Sequence, residues 1–330
     1  MGRSKPVTLI AGGAGFIGSH LCLRLLGEGH EVICIDNLQT ALPSNLGRLK
    51  GRPGFTFVEA DIVQPLPEAV TARAGEIGRV YNLACPASPP LYQIDPEHTM
   101  LTNVVGTNNL LRLAEKSGAR FFLASTSEVY GDPEVHPQQE EYRGWVNCTG
   151  PRACYDEGKR AAETLTFDYA RTGRAEVRVI RIFNTYGPHM SPDDGRVVSN
   201  MLCQAIQGDD ITIYGDGTQT RSFCYVSDMV DGFVRLMEAE IDGTEPVNIG
   251  NPVELSMQEL ADEVVRLTGA RSRIVYRPLP IDDPRRRRPD IARAKALLDW
   301  EPRVPLREGL TQTYHWFAEE LGRAERVKAA

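Results

Sequence analysis

The chain has 330 residues, 42% of them hydrophobic and 25% charged, a composition that excludes a largely disordered or fibrous polypeptide. Its 37 Lys and Arg against 44 Asp and Glu leave a formal charge of −7, so a general nucleic-acid role is excluded; a polyanion is held only where a local basic site exists. No uninterrupted apolar run reaches the roughly 18 residues of a membrane helix, and Met1 to Pro6 lead directly into Val7-Thr8-Leu9-Ile10, so neither a signal peptide nor an anchor is expected. The seven cysteines form no CxxC pair and the six histidines have no metal-ligand spacing, which points to reduced thiols, a cytoplasmic setting and no metal.

In chain order, β-branched runs alternate with helical patterns through the first half. Strands are expected at 7–10, 31–35, 55–58, 80–83, 120–124 and 177–182, and helices at 17–28, 96–117 and 155–172. That alternation predicts an α/β fold, a doubly wound parallel sheet covered by helices on both faces. From about residue 184 the character changes. Segments 184–192 and 214–220 are rich in Gly, Pro, Asp and Asn, as in loops that bind, and helical patterns return at 257–267 and 291–298, separated by 278–284 and the arginine run 285–288. The length suits about two domains, or one large sheet with a smaller C-terminal lobe.

The first strand runs into Gly12-Gly13-Ala14-Gly15-Phe16-Ile17-Gly18. Gly12 permits a tight turn, Gly15 admits a pyrophosphate to the backbone amides, and Gly18 lets the helix close on the strand. The helix N-terminus then turns its partial positive charge on the phosphates, which makes the sheet Rossmann-type. Asp36, ending the second strand with Asn37 beside it, stands where a carboxylate accepts hydrogen bonds from the adenosine ribose, so the expected cofactor is NAD rather than NADP. Asp61 and Ile62, and likewise Leu83 and Ala84, are either further contacts in that crevice or ordinary strand-end residues.

Tyr155 and Lys159 are four apart and share one helix face. An ammonium near a phenol favours phenolate, which lowers the tyrosine pKa toward neutrality and equips it to take a proton from an alcohol during hydride transfer. Alone, such a pair also occurs on surfaces. Here Ser125-Thr126-Ser127-Glu128 follows the apolar run 121–124 and brings hydroxyls and a carboxylate to a carboxyl end of the sheet, where such folds bind ligands.

With these motifs, the chain resembles the extended short-chain dehydrogenase/reductases, and within them the UDP-glucuronate decarboxylases or UDP-xylose synthases. The likeness also runs through Ser127-Glu128-Val129-Tyr130-Gly131, the block 150–159, Arg181-Ile182-Phe183-Asn184, the block 194–200, Gln219-Thr220-Arg221-Ser222-Phe223 and Arg287-Arg288-Pro289-Asp290. The blocks 150–159 and 194–200 are typical of the decarboxylases. Ala11, Asn82 and Cys85 depart from the Thr, His and Ser that relatives often carry.

The resemblance implies NAD-dependent decarboxylation of UDP-glucuronate to UDP-xylose through a UDP-4-keto intermediate, with NAD regenerated. Alternatives are release of UDP-4-keto-pentose and NADH, or an epimerase or 4,6-dehydratase reaction. Ser127 in place of a dehydratase acid, with Glu128 where a 4-epimerase usually has no carboxylate, favours decarboxylation. By the same resemblance Thr126 hydrogen-bonds the reacting oxygen, Glu128 organises the sugar and a water, and Arg221 approaches the departing carboxylate. Asn184, Arg221 and Arg287 hold the diphosphate, Tyr214 runs beside the uracil, Tyr92 covers the sugar and nicotinamide, and Arg285 and Arg286 are solvated. It also implies a homodimer, an NAD-binding domain over 1–183 with a returning segment near 223–250, and a UDP-sugar lobe over 184–222 and 251–330.

Overall fold

The computed structural model describes residues 6–243, 245–280 and 286–328; Met1–Lys5, the segment 281–284 and Arg285 of the arginine run lie outside them. Its first strands are β1 (Val7–Ala11), β2 (Val32–Asp36) and β3 (Phe55–Glu59), followed by β4 (Ile77–Asn82), β5 (Arg120–Thr126) and β6 (Val177–Ile182). They join Val247–Ile249 in one seven-stranded sheet, in the order Val247–Ile249, β6, β5, β4, β1, β2, β3. Every pairing in it is parallel. β1 is buried along its whole length, as a strand covered by helices on both faces must be.

The chain reverses direction of winding between β1 and β4, and that switch point places the ligand crevice. Ala11 is in register with Ile35 of β2 and Asn82 of β4, so the residues after these three strand ends lie level around one crevice. β5 and β6 end together, Thr126 opposite Ile182, and carry the same edge toward the second half of the chain.

Several elements differ from the sequence reading. β4 starts at Ile77 and stops at Asn82, leaving Leu83 beyond it with its N–H on the Ala11 carbonyl at 2.9 Å. Gly78 and Arg79 have weak strand propensity, yet β4 is clamped between β1 and β5, and tertiary pairing decides. The helix expected over 96–117 is Pro96–Leu101, a π turn Thr102–Gly106, then Thr107–Ser117. The Asn103 amide, inside that turn, donates to the Thr99 carbonyl at 3.0 Å and to Cys85 Sγ at 3.1 Å. Such turns often occur near functional sites.

Helices Val197–Gln207, Val226–Glu238 and Leu306–Lys328 were not read from the sequence. The second half also contributes short strands. Ile211–Tyr214 pairs with Ile274–Arg277, and Thr220–Ser222 lies between Glu254–Ser256 and Arg286–Arg287. Arg287 sits directly opposite Arg221 in that ladder, which brings two distant arginines side by side.

Candidate active site

A cleft of about 940 Å³ runs from the glycine-rich turn along the carboxyl ends of the sheet into the second half of the chain, at the upper end of the roughly 300–1,000 Å³ usual for ligand sites. Every residue singled out from the sequence as catalytic, cofactor-binding or substrate-binding contributes to its wall. They occupy three stations.

At the first, Gly12 has φ +78°, and a Cβ there would lie 2.7 Å from the Leu83 carbonyl carbon. A Cβ on Gly18 would stand 2.0 Å from the Gly12 oxygen. These two glycines are therefore required by conformation and close packing. Gly15 is the helix N-cap and supplies no side-chain cap, so the first amides of the helix that begins with Phe16 and Ile17 are left for an anion. That donor set, with a carboxylate across from it, fits NAD.

The Asp36 carboxylate accepts from Ala14 N–H at 2.9 Å and Leu38 N–H at 2.8 Å; each oxygen keeps a lone pair for a ribose hydroxyl. Burial pushes its pKa up, opposed by those amides. Asp61 is more committed than expected. Its oxygens receive Val63 N–H at 2.9 Å, the Asn37 amide at 3.1 Å and His98 Nε2 at 2.6 Å, and these contacts hold its carboxyl below the usual range despite burial. His98, which the sequence gave no reason to select, thus belongs to the wall near Ile62. Leu83 and Ala84 form the opposite side, with Ala84 N–H on the Asn82 side chain at 3.2 Å.

The second station holds the residues expected to be catalytic. Tyr155 and Lys159 lie on the helix Ala153–Arg171, and both are buried. The Lys159 ammonium donates to the Ala124 carbonyl at 2.9 Å and stands 5.8 Å from the Tyr155 ring centroid. Thr126 shares a hydrogen bond with the phenol, and its Oγ1 also accepts from Glu128 N–H at 3.2 Å. The expected lowering of the Tyr155 pKa is not what these surroundings produce. Burial raises it, Cys85, Glu128 and Asp156 push the same way, and the Thr126 hydrogen bond opposes them. The helical spacing put phenol and ammonium on one face, but the ammonium is tied to the β5 backbone and is itself depressed by burial. Tyr92 is stacked on Tyr155, centroids 5.0 Å apart.

At the third station, Glu128 is enclosed by guanidinium groups. Arg287 donates to Oε1 at 2.8 Å and Oε2 at 3.3 Å, and Arg152 meets Oε2 as well. Burial opposes the charge, yet Arg287, Arg152 and Arg221 hold the Glu128 carboxyl well below the usual carboxylate range. Arg287 also reaches Ser127 Oγ and the Gly131 carbonyl, each at 3.0 Å. Its guanidinium thus organises Glu128 and Ser127, a tighter engagement than the diphosphate clamp expected of it. Arg221 donates to the Thr220 carbonyl at 2.9 Å. Asn184 fixes its loop by accepting Cys224 N–H at 2.8 Å on its carbonyl, and Tyr214 remains exposed at the far end.

Sequence reasoning left two arginines of this wall without a role. Arg152 lies one helical turn before Asp156, and Arg196 is gripped by Asp194 at 2.5 and 2.8 Å. Both stand inside the blocks 150–159 and 194–200; an arginine in a loop reads equally as solvated until its partner carboxylate is located.

Residues 8–250 match the model of the NAD dependent epimerase/dehydratase family. The chain belongs to that family. Among relatives of this family member, UDP-glucuronic acid decarboxylase 5 of Arabidopsis thaliana is 54% identical over 321 residues, 97% of this chain and 92% of the relative. UDP-glucuronic acid decarboxylase 1 of Xenopus tropicalis is 52% identical over 319 residues, 97% of this chain and 74% of the relative. In structure, the epimerase fold superposes on UDP-glucuronic acid 4-epimerase from Bacillus cereus, solved with UDP-glucuronic acid and NAD, at a TM-score of 0.86 and 27% identity, covering 95% of this chain and 99% of the other. Among the described residues no helix is long and apolar enough to cross a membrane.

Proposed function

We propose that the chain is an NAD-dependent UDP-glucuronate decarboxylase that forms UDP-xylose through a UDP-4-keto intermediate and regenerates its cofactor. One observation carries this reading: the hydride-transfer group Thr126, Tyr155 and Lys159 adjoins an anion site in which Arg152, Arg221 and Arg287 surround a single ionised Glu128. The first trio suits oxidation of a sugar alcohol, and the second suits a sugar that carries an acid.

The glycine turn and helix N-terminus hold the pyrophosphate, Asp36 the ribose, and Lys159 and Tyr155 the nicotinamide end. When bound, NAD accepts a hydride from carbon 4 and later returns it, and its positive ring favours the Tyr155 phenolate. Tyr155 removes the 4-hydroxyl proton, aligned by Thr126. The sugar is then a β-keto acid, and its carboxylate leaves as carbon dioxide because the C–C bonding pair flows into the new ketone. Tyr155 and Thr126 stand at that oxygen and stabilise the enolate charge. Glu128 is held ionised by its arginines, so it orders a water rather than giving up a proton of its own; that water passes a proton to carbon 5 and is reprotonated from solvent, one proton being consumed for each carbon dioxide released, and Tyr155 returns the proton it took to the 4-oxygen as the ketone is reduced. Arg221 and Ser127 receive the carboxylate, while Asn184, Arg221 and Tyr214 hold the UDP.

In this reading residues 1–183 with 223–250 serve the cofactor, and 184–222 with 251–330 the UDP-sugar. The protein is cytoplasmic and works as a homodimer, joined through the helical stretch 96–117 and the helix Ala153–Arg171; sedimentation at working concentration tests the assembly. Incubation with UDP-glucuronate and NAD tests the activity. Carbon dioxide and UDP-xylose appear without accumulation of NADH. Accumulation of NADH with UDP-4-keto-pentose would instead mark an enzyme that stops halfway.

A further inference from the structure

Glu163 lies one helical turn beyond Lys159 on the helix Ala153–Arg171 and is buried; the reaction as proposed gives it no part. Its Oε1 accepts the Ser125 hydroxyl at 2.5 Å and Arg181 Nε at 3.0 Å, and its Oε2 accepts Arg181 Nη2 at 2.7 Å. Ser125 and Arg181 stand opposite each other in the β5–β6 ladder, so one carboxylate joins the helix to two neighbouring strands at their carboxyl ends. Ser125 belongs to the cleft wall and Glu163 does not.

Tyr155, Lys159 and Glu163 follow at four-residue intervals and so run down one side of the helix. They meet three consecutive residues of β5. Tyr155 shares a hydrogen bond with Thr126, Lys159 donates to the Ala124 carbonyl at 2.9 Å, and Glu163 accepts the hydroxyl of Ser125, which lies between them in the chain. The Ser125 bond is short and charge-assisted, and Arg181 holds the same carboxylate in two-point contact. Arg181 is itself anchored, donating to the Tyr130 hydroxyl at 3.0 Å and the Glu140 carbonyl at 2.9 Å.

We propose that Glu163 is a positioning residue: through Ser125 it fixes the end of β5 against the helix Ala153–Arg171, and so sets the placement of Tyr155 against Thr126. The inference rests on the decarboxylase reading. A buried ion pair is a weak source of net stability, because desolvation offsets the attraction; what this one supplies is a fixed spacing. Proton removal in step with hydride transfer tolerates little displacement, since a shift of about 1 Å costs up to about 100-fold in rate. The charge of Glu163 serves the same group: burial depresses the Lys159 ammonium, and Cys85, then Glu163, oppose that.

The test compares the native protein with Ser125→Ala and Glu163→Gln, each loaded with NAD and given UDP-glucuronate carrying hydrogen or deuterium at carbon 4. Ser125→Ala removes one hydroxyl and leaves the buried Glu163–Arg181 pair intact, so it reports even where Glu163→Gln folds poorly. Its kcat falls about tenfold while the KM for UDP-glucuronate and the Kd of NAD stay within about twofold. The deuterium effect on kcat grows, because hydride transfer has become the slow step. Native kcat in Ser125→Ala overturns the inference, as does a lower kcat with an unchanged deuterium effect, which is the mark of a merely structural pair. A rise in KM matching the loss of kcat overturns it too, placing Ser125 in substrate binding. Absence of carbon dioxide release by the native protein overturns the decarboxylase reading and the inference together, whereas native turnover with unaffected variants overturns the inference alone.

Discussion

The rings of Tyr92 and Tyr155 lie parallel, inclined by 2° with centroids 5.0 Å apart. The turn Pro89–Tyr92 thereby packs against one face of the Tyr155 phenol, which is buried and whose pKa burial raises. The Tyr92 hydroxyl itself is buried without a hydrogen-bond partner. Tyr92→Phe is therefore expected to leave stability unchanged or raise it by about 1 kcal/mol, with kcat within about twofold. Tyr92→Ala removes the cover and lowers kcat at least about tenfold, a change of about 1.4 kcal/mol in the barrier. Thermal melts and steady-state rates of the two variants check this.

The Lys159 ammonium stands 5.8 Å from the ring centroid of a phenol that burial disfavours as phenolate, close enough for its charge to act on the phenolate. Removing the ammonium raises the Tyr155 pKa further, so the fraction of active phenolate at neutral pH falls and is recovered only at higher pH. Lys159→Met is expected to shift the ascending limb of the kcat/KM profile alkaline by about one pH unit, equivalent to about 1.4 kcal/mol. A uniform loss at every pH would assign Lys159 to cofactor binding alone.

The cofactor loop separates folding from binding at neighbouring glycines. A Cβ on Gly18 strikes the Gly12 carbonyl oxygen, whereas one on Gly15 meets that oxygen at 3.3 Å and little else. Gly18→Ala destabilises the fold by about 2–3 kcal/mol. Gly15→Ala melts near the native temperature but binds NAD at least about tenfold more weakly, since the methyl group occupies the approach of the pyrophosphate. Calorimetric melts with and without NAD distinguish the two.

Asp156 marks the pH dependence of stability. Its folded pKa is raised by burial, then by Glu128, so between the usual carboxylate range and about 7 the folded state keeps a proton that the unfolded chain has released. Stability from this group is complete below the unfolded pKa, about 3.9, declines as pH rises through the interval, and stays low above it. Asp156→Asn is thus more stable than the native protein at pH 8 and equal to it at pH 4, by denaturant titration. Equal stability at both pH values would remove the shift.

Much of the first half was legible because its physics is local. β1, the glycine turn and Asp36 follow one another within a single strand–helix–strand unit, and Gly12 and Gly18 each have a local steric reason. The helix Ala153–Arg171 announced itself by Tyr155 and Lys159 at helical spacing. What escaped depends on pairings between distant segments. Arg287 meets Glu128 only because Arg286–Arg287 adds to the strand that carries Arg221, and two-residue strands leave no periodicity. Arg178, fully buried in β6, donates to the carbonyls of Leu236 and Ala239. An arginine inside a strand reads as exposed until those acceptors are located. The π turn at Thr102–Gly106 likewise follows from Asn103 reaching Cys85 and from Gly106 meeting Ile62, contacts that a helical pattern does not encode.

The central claim is that a hydride leaves carbon 4 of the sugar and comes back to it. UDP-glucuronate carrying deuterium at carbon 4, turned over in ordinary water, tests this directly by mass and nuclear magnetic resonance analysis of the product. The account predicts UDP-xylose with deuterium still at carbon 4 and one new hydrogen from water at carbon 5. Product with solvent hydrogen at carbon 4, or decarboxylation that proceeds equally in a protein stripped of NAD, would contradict it.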